Sequence, residues 1–436
     1  MHDVVRRKLP QILLLAQLVF AVFSLFHFLS YGRLPAPFFY DVTDSFMDFF
    51  NTNYWAFQSG RFDQWRSIYP IFSFVLSKWV TSTQCIEMVA TPHALRACDA
   101  SAMYYLLATY LAGCALCAGM LARAFGRTTS HGFLDACLWF GVLALSLPGL
   151  YALERGNYIL VAFLCLVLAR RYPDDWRFAL FLALAINIKQ YLLVLCLGPL
   201  LKQRFDQLLL IIVFSLLINV CGLLLVPETH YSMLIDNMTT FSTTVLPSMF
   251  EKMWNPSAVA AFARAVEGTA YLSSGESWKI DGVRVLLGGM VWAGRGVAVA
   301  MFFALCLRAN AVSANFIMLA MLVTLCAMSD SPGGYSTVLL FPFLPALFER
   351  PMARGYTLLL LGLYMPMELS IGPFRHFDAM DSFLSGSVLP EIVLGVSAGA
   401  YVRALSLYSL MCLMFCDLVK INGKSSAAGA PCPVLS

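Results

Sequence analysis

The sequence predicts an all-α, polytopic membrane protein, and three observations carry that reading. Hydrophobic residues make up 60% of the chain against 12% charged. Apolar runs long enough for a bilayer recur along its whole length, and lysines and arginines gather in the short loops between them. A chain this apolar lacks the polar surface of a soluble globule. The net charge of +4 is small and confined to those loops, so it speaks for topology and against nucleic acid as a partner. With no soluble domain and no internal repeat, residues 1–424 read as one transmembrane domain and 425–436 as a flexible cytoplasmic tail.

The elements follow from the sidedness of the basic loops. Arg6, Arg7 and Lys8 hold the N-terminus in the cytoplasm, and residues 10–30, with no small-residue cleavage site behind them, are a retained first span. Residues 31–99 form a first external loop. Residues 101–123 return, 132–153 go out, and 158–169 come back to the basic Arg170, Arg171 and Arg177. A single span next would break the alternation, because Arg177 and the turn at 202–204 both belong in the cytoplasm. Two half-helices meeting at 187–190 restore it. Each covers only about 18 Å, so their tip should line a protein cavity and bring Lys189 to the outer side. Residues 207–226 lead to a second external loop, 227–283, whose Asn237-Met238-Thr239 sequon is read as chance. Residues 284–307, 311–328, 335–347, 356–371 and 392–418 then complete about ten full spans beside the hairpin.

The first loop carries the densest chemistry, with Asp41, Asp44, Asp48 and Asp63 set among aromatics and the cations Arg61 and Arg66. From Asp44, the spacing of Phe46, Phe49, Phe50, Tyr54 and Phe57 predicts an amphipathic helix over 44–58, lying in the membrane interface. Asp44 would sit at its wet end, as a reactive carboxylate or as a helix cap, with Asp48 a solvated residue one turn on. Residues 69–80 are too short to span and read as a second juxtamembrane helix, half-sunk in the outer leaflet. Cys85 and Cys98 are the cysteines placed in an external loop, where a disulfide fits. Cys114 and Cys117 have no second pair and sit in an apolar run, so neither metal nor redox use is expected of them. Histidines are scattered, and no catalytic triad, phosphate loop or nucleotide fingerprint is present, so the reading includes no metal and no cofactor.

Charges within apolar spans direct attention to Lys189, Arg295 and Arg403. Arg295 and Arg403 are expected to be structural, paired with Asp135, Glu368 or a backbone carbonyl. Lys189, flanked by Asn187 and Gln190 at a helix break, suits a phosphate anion. On the outer side the polar residues converge on one or two carboxylates with several cations. That set suits a substrate that is both a phosphate and a hydroxyl compound.

Several short motifs then occur in a telling order: Asp41 and Asp44 in the first loop, an aromatic helix ending in Gly60 with Tyr69-Pro70 soon after, Arg155-Gly156-Asn157-Tyr158 opening an apolar helix, Ile188-Lys189 in a hairpin, Asn255-Pro256-Ser257 with Arg264, and Ser331-Pro332 before a span. In this order the chain resembles the GT-C superfamily of integral-membrane glycosyltransferases, and within it the polyprenol-phosphate-mannose-dependent family GT87. The resemblance covers roughly residues 41–345 and implies a GT-C-like bundle of about 10–12 transmembrane helices. It also implies transfer of a hexose such as mannose from a polyprenyl-phosphate donor to a glycolipid or glycan acceptor. The site would face the outside of a bacterial plasma membrane. By that resemblance Asp44, or Asp41 in its place, is the general base; Lys189, Arg264 and Arg155 bind the donor phosphate; and Asn157, Tyr69, Asn255, Ser257 and Tyr335 bind substrate. The family's Tyr-Pro-Pro is Tyr69-Pro70-Ile71 here, and its Trp and His after Ser-Pro are replaced by Gly333-Gly334-Tyr335. A single base without a nucleophilic carboxylate implies inversion. The competing class is a lipid or solute transporter with a charged path, which would show symmetry between halves.

Overall fold

The computed structural model describes residues 2–35, 44–125, 132–244, 277–328, 334–367, 370–389 and 392–420. A long helix, α1 (His2–Tyr31), opens the chain. The first loop folds into α2 (Met47–Trp55), α3 (Ile71–Val80), α4 (Thr83–Met88) and α5 (Pro92–Cys98). Then come α6 (Met103–Phe125), α7 (Gly132–Ala144), α8 (Leu147–Arg155), α9 (Ile159–Arg171) and α10 (Trp176–Ile186). A 3₁₀ turn, Gln190–Cys196, runs into α11 (Leu197–Leu201), followed by α12 (Phe205–Leu225), α13 (Met233–Thr244), α14 (Ser277–Arg308) and α15 (Ala314–Met328). The 3₁₀ stretch Gly334–Phe343 leads to α16 (Pro345–Phe348) and α17 (Ala353–Tyr364), and α18 (Ala398–Lys420) closes the described chain.

α9 and α15 form the centre, buried on nearly every side. Around them α6 packs on α7 and α9, α10 on α9 and α12, and α14, α15 and α17 on α18. By contrast, α1, α12 and α14 turn exposed leucines, valines and phenylalanines outward, as lipid-facing helices do. Five helices of the described chain are long and apolar enough to cross a bilayer, and α7 with α8, bent by 50°, makes a sixth if counted as one span. The chain is therefore an all-α, multi-pass membrane protein. The expected ten full spans are not all continuous: α15 has 15 residues, α17 has 12 and α10 has 11. At 1.5 Å per residue such pieces reach only about 16–22 Å, short of the hydrocarbon thickness of a bilayer.

Three local expectations change. α2 does not lie on an interface: Met47, Phe49, Phe50, Thr52, Asn53 and Tyr54 are all buried, beneath α3, α5 and α8. Aromatics on more than one face of so short a helix demand enclosure. α3 likewise buries Ile71, Ser73, Phe74, Val75 and Ser77 against α2 and α12, although Trp79 remains exposed. Finally, residues 392–418 are not one helix. Ile392–Ser397 is a strand, β4, antiparallel to β1 (Ser370–Phe377), and β2 (Met380–Asp381) pairs with β3 (Val388–Leu389). Together they make a β-hairpin between α17 and α18.

The two loops are tied by a buried clip. Arg61 pairs with Glu228 at 2.8 Å and donates to the carbonyls of Pro227 (3.0 Å) and Trp55 (3.3 Å). Asn237 of the sequon is buried, its amide donating to the carbonyls of Phe62 and Ser67. Cys85 and Cys98 are joined in a disulfide, with their Cα atoms 5.8 Å apart, bracing α4 against α5. Cys114 and Cys117 are buried free thiols within α6. Arg295 is exposed on α14 and lies over the Trp292 ring.

Removing one partner of a buried ion pair leaves an uncompensated charge, at a cost of about 3–5 kcal/mol. Arg61→Ala should therefore lower the Tm in detergent by several degrees, and adding Glu228→Gln should recover part of it. An unchanged Tm in the single variant would show that this clip does not secure the two loops.

Candidate active site

The site is built on the corner between α8 and α9. α8 ends in a left-handed glycine: Gly156 has φ 65°, its N–H bonds the Leu153 carbonyl, and the next N–H, of Asn157, reaches back to Ala152. That pair of bonds defines a Schellman end, which glycine adopts without strain. A side chain at 156 would also collide with Phe49 Cβ at 2.7 Å and the Phe46 carbonyl oxygen at 3.1 Å. The close approach brings the start of α2 onto this corner. Each residue of the Arg155-Gly156-Asn157-Tyr158 motif then has a separate task.

Arg155 points at the start of α2 and forks between two carboxylates. One terminal nitrogen pairs with Asp44, and the other with Asp48 at 2.9 Å. Asn157 is buried; its Oδ1 accepts the Ile159 N–H at 3.0 Å, which satisfies the first N–H of α9 and fixes the amide orientation. Its Nδ2 then faces three oxygens: Asp48 at 2.7 Å, the Tyr335 hydroxyl at 2.9 Å and the Tyr69 hydroxyl at 3.2 Å. Tyr158 bonds Asn53 at 2.8 Å and Ser77 at 2.7 Å, pinning the corner to α2 and α3. Asp48 is thus no solvated face residue. Its two oxygens take Arg155 and Asn157, and its side chain is 21% exposed against 31% for Asp44. The N-cap position of α2 is Phe46, which makes no side-chain cap bond, and the first N–H of the helix, of Met47, bonds the Asp44 backbone carbonyl.

The break between α10 and the 3₁₀ turn delivers the second half of the site. Lys189 is buried, and its Nζ lies 4.2 Å from the centre of the Tyr69 ring. Among the described residues, no carboxylate comes within ion-pair distance of that Nζ. The tip is fixed from both sides. Gln190 donates to the Ile68 carbonyl at 2.7 Å, and Asn187 accepts from Asn219 of α12 at 2.5 Å, which in turn accepts from Tyr231. A polar residue amid the apolar α12 thereby finds its use.

Burial, and next the Asp48 carboxylate, push the Tyr69 phenol well above its ordinary pKa, so it keeps its proton. Its oxygen already accepts from Asn157, and no acceptor among the described residues takes its hydrogen. The Tyr335 hydroxyl stands in the same relation to Asn157. Two O–H donors and one ammonium are left for a ligand beside two carboxylates.

The sequence-derived set is therefore gathered in part. Asp44, Arg155, Asn157, Tyr69, Tyr335 and Lys189 meet in one place. Arg61 sits in the Glu228 clip, and Arg66 is exposed with a left-handed φ of 48°. Asp41, Asn255, Ser257 and Arg264 lie outside the described residues. Asp48 was missed because i and i+4 spacing fits a solvated stripe as well as a clasped one; the aromatic crowding around it was the usable signal. Among the described residues, no three His, Cys, Asp or Glu side chains form a metal-ligand group.

Comparison with known families gives one match. The model of glycosyltransferase family 87 matches residues 68–329, a segment that holds Tyr69, Arg155, Asn157 and Lys189 and stops short of Asp44, Asp48 and Tyr335. No curated protein and no solved structure matches the chain significantly. With more than half of its length matched, the chain belongs to glycosyltransferase family 87.

Proposed function

We propose that this glycosyltransferase moves a hexose, such as mannose, from a polyprenyl-phosphate donor to a lipid-linked or glycan acceptor, at the outer face of a bacterial plasma membrane. The observation that carries the reading is Lys189. A buried ammonium without a carboxylate partner among the described residues is costly unless an anion joins it, and this one is linked through Tyr69 and Asn157 to a carboxylate pair. A sugar on a polyprenyl phosphate brings its own leaving group. The enzyme then needs a base for the acceptor hydroxyl and donors for the departing phosphate.

In this reading Asp44, the more exposed carboxylate, takes the acceptor proton as the hydroxyl oxygen attacks the anomeric carbon. The bond to the phosphate oxygen breaks and the configuration inverts. Lys189 and the Tyr69 hydroxyl meet the leaving phosphate, and Tyr335 contacts substrate. Arg155, assigned to the phosphate by resemblance, is here engaged by Asp44 and Asp48, so its part is to orient the base. Asp48 and Asn157 hold Arg155 and the two tyrosines in register. Arg264, with Asn255 and Ser257, would complete the phosphate and substrate contacts from the second loop. Asp41 is the alternative base.

Three measurements test these roles, each on folded protein in nanodiscs supplied with polyprenyl-phosphate mannose and membrane-lipid acceptors. Asp44→Asn keeps shape but removes the proton acceptor, so turnover should fall by about 10²- to 10⁴-fold with donor binding intact. Near wild-type turnover there with an inactive Asp41→Asn would move the base to Asp41; activity in both would remove the base from this loop.

Asp48→Asn releases one arm of Arg155, and turnover should drop about tenfold or more through misplacement. Wild-type kinetics would make Asp48 a bystander. Lys189→Ala should raise the KM for donor by about 10- to 100-fold, the worth of a hydrogen bond to a charged group, and leave the acceptor KM unchanged. Unaltered donor dependence would make Lys189 a structural residue only.

A further inference from the structure

The backbone that carries Asp44 is under strain, and something must hold it. Phe46, two residues on, has a left-handed φ of 61°, a conformation that L side chains adopt only when their surroundings impose it. On one side the Phe46 N–H is captured by the Glu154 carbonyl at 2.6 Å. On the other, the Arg96 guanidinium donates to the Ser45 carbonyl at 2.6 Å. Arg96 is buried on α5, two residues before Cys98, whose disulfide to Cys85 fixes that short helix to α4.

A flat face of the same guanidinium is covered. The Phe383 ring, in the turn of the β-hairpin, lies 4.2 Å from Arg96 Cζ and 6.2 Å from the Phe46 ring. Three segments far apart in sequence thus meet over the turn at 44–46: the disulfide-closed corner, the hairpin tip and the α8 terminus. A cation sandwiched against an aromatic ring is attracted to it and loses mobility, which makes Arg96 a firm donor for a strained carbonyl.

We propose that Arg96 is a positioning residue for Asp44. Held by the disulfide-braced α5 and roofed by Phe383, it fixes the 44–46 turn so that the Asp44 carboxylate faces Arg155 and the acceptor. This rests on Asp44 being the base. Arg96 itself needs no contact with substrate.

The test pairs hydrogen exchange with kinetics. In Arg96→Ala, amide exchange of the peptide over 44–50 should rise by about tenfold or more, while peptides from α6 and α9 stay protected. Turnover should fall by about 10- to 100-fold, with the KM for polyprenyl-phosphate mannose within about twofold of wild type. Arg96→Lys, which keeps a donor and a cation under Phe383, should recover much of both. Because Arg96 acts through Asp44, adding Arg96→Ala to Asp44→Asn should cause no further loss. Should Arg96→Ala prove unstable, Phe383→Leu and reduction of the disulfide must loosen the 44–50 peptide in the same way. Unchanged exchange at 44–50 in these proteins, or a multiplicative loss in the double variant, overturns the proposal. Increased exchange combined with a fully active Asp44→Asn would keep the clamp and remove the base assignment.

Discussion

The pairing of Arg155 with both Asp44 and Asp48 is the constraint on which the rest depends. Two carboxylates on either side of the start of α2, both meeting Arg155, repel, and in a half-buried place the repulsion is poorly screened. A guanidinium between them settles that and sets their spacing, because its planar fork holds both at once. The corner that supplies it must then come very close to α2. Gly156 makes the approach possible, and Asn157 and Tyr158 extend the same contact to Tyr69, Tyr335, Asn53 and Ser77. Four consecutive residues thereby align the start of α2, the loop before α3 and the 3₁₀ stretch after α15.

Lys189 answers a different constraint. A helix that stops within the apolar region exposes unpaired carbonyls and amides, tolerated only where protein or a cavity surrounds them. Here the stop is enclosed by Ile68, Asn219 and Tyr69. The ammonium is directed at a tyrosine face, and no carboxylate among the described residues neutralises it. In the proposed function that charge meets the donor phosphate.

Much of this was legible in the sequence. The membrane class followed from composition, the broken hairpin from the conflict between Arg177 and the turn at 202–204, and the order of short motifs pointed to the family. What periodicity could not distinguish was an interfacial helix from an enclosed one. Phe49, Phe50 and Tyr54 fit a lipid-facing stripe equally well until α5 and α8 are placed over them. Asp48 was misread for the same reason. The strand Ile392–Ser397 was hidden because its Ile392, Val393, Leu394 and Val396 run straight into α18, and strand and helix are ambiguous in short apolar runs. Arg96 carries no local signal, since its partners Ser45 and Phe383 lie far along the chain.

The central claim is that Lys189 and the Asp44–Arg155–Asp48 cluster form one site for a lipid-phosphate sugar. The most direct measurement is an electron cryomicroscopy structure of the Asp44→Asn protein with polyprenyl-phosphate mannose bound in nanodiscs. The account predicts a phosphate oxygen about 3 Å from Lys189 Nζ, with the anomeric carbon turned toward residue 44. A donor phosphate lodged elsewhere, for instance beside the buried Arg350–Asp417 pair, with Lys189 still resting only on Tyr69, would contradict it.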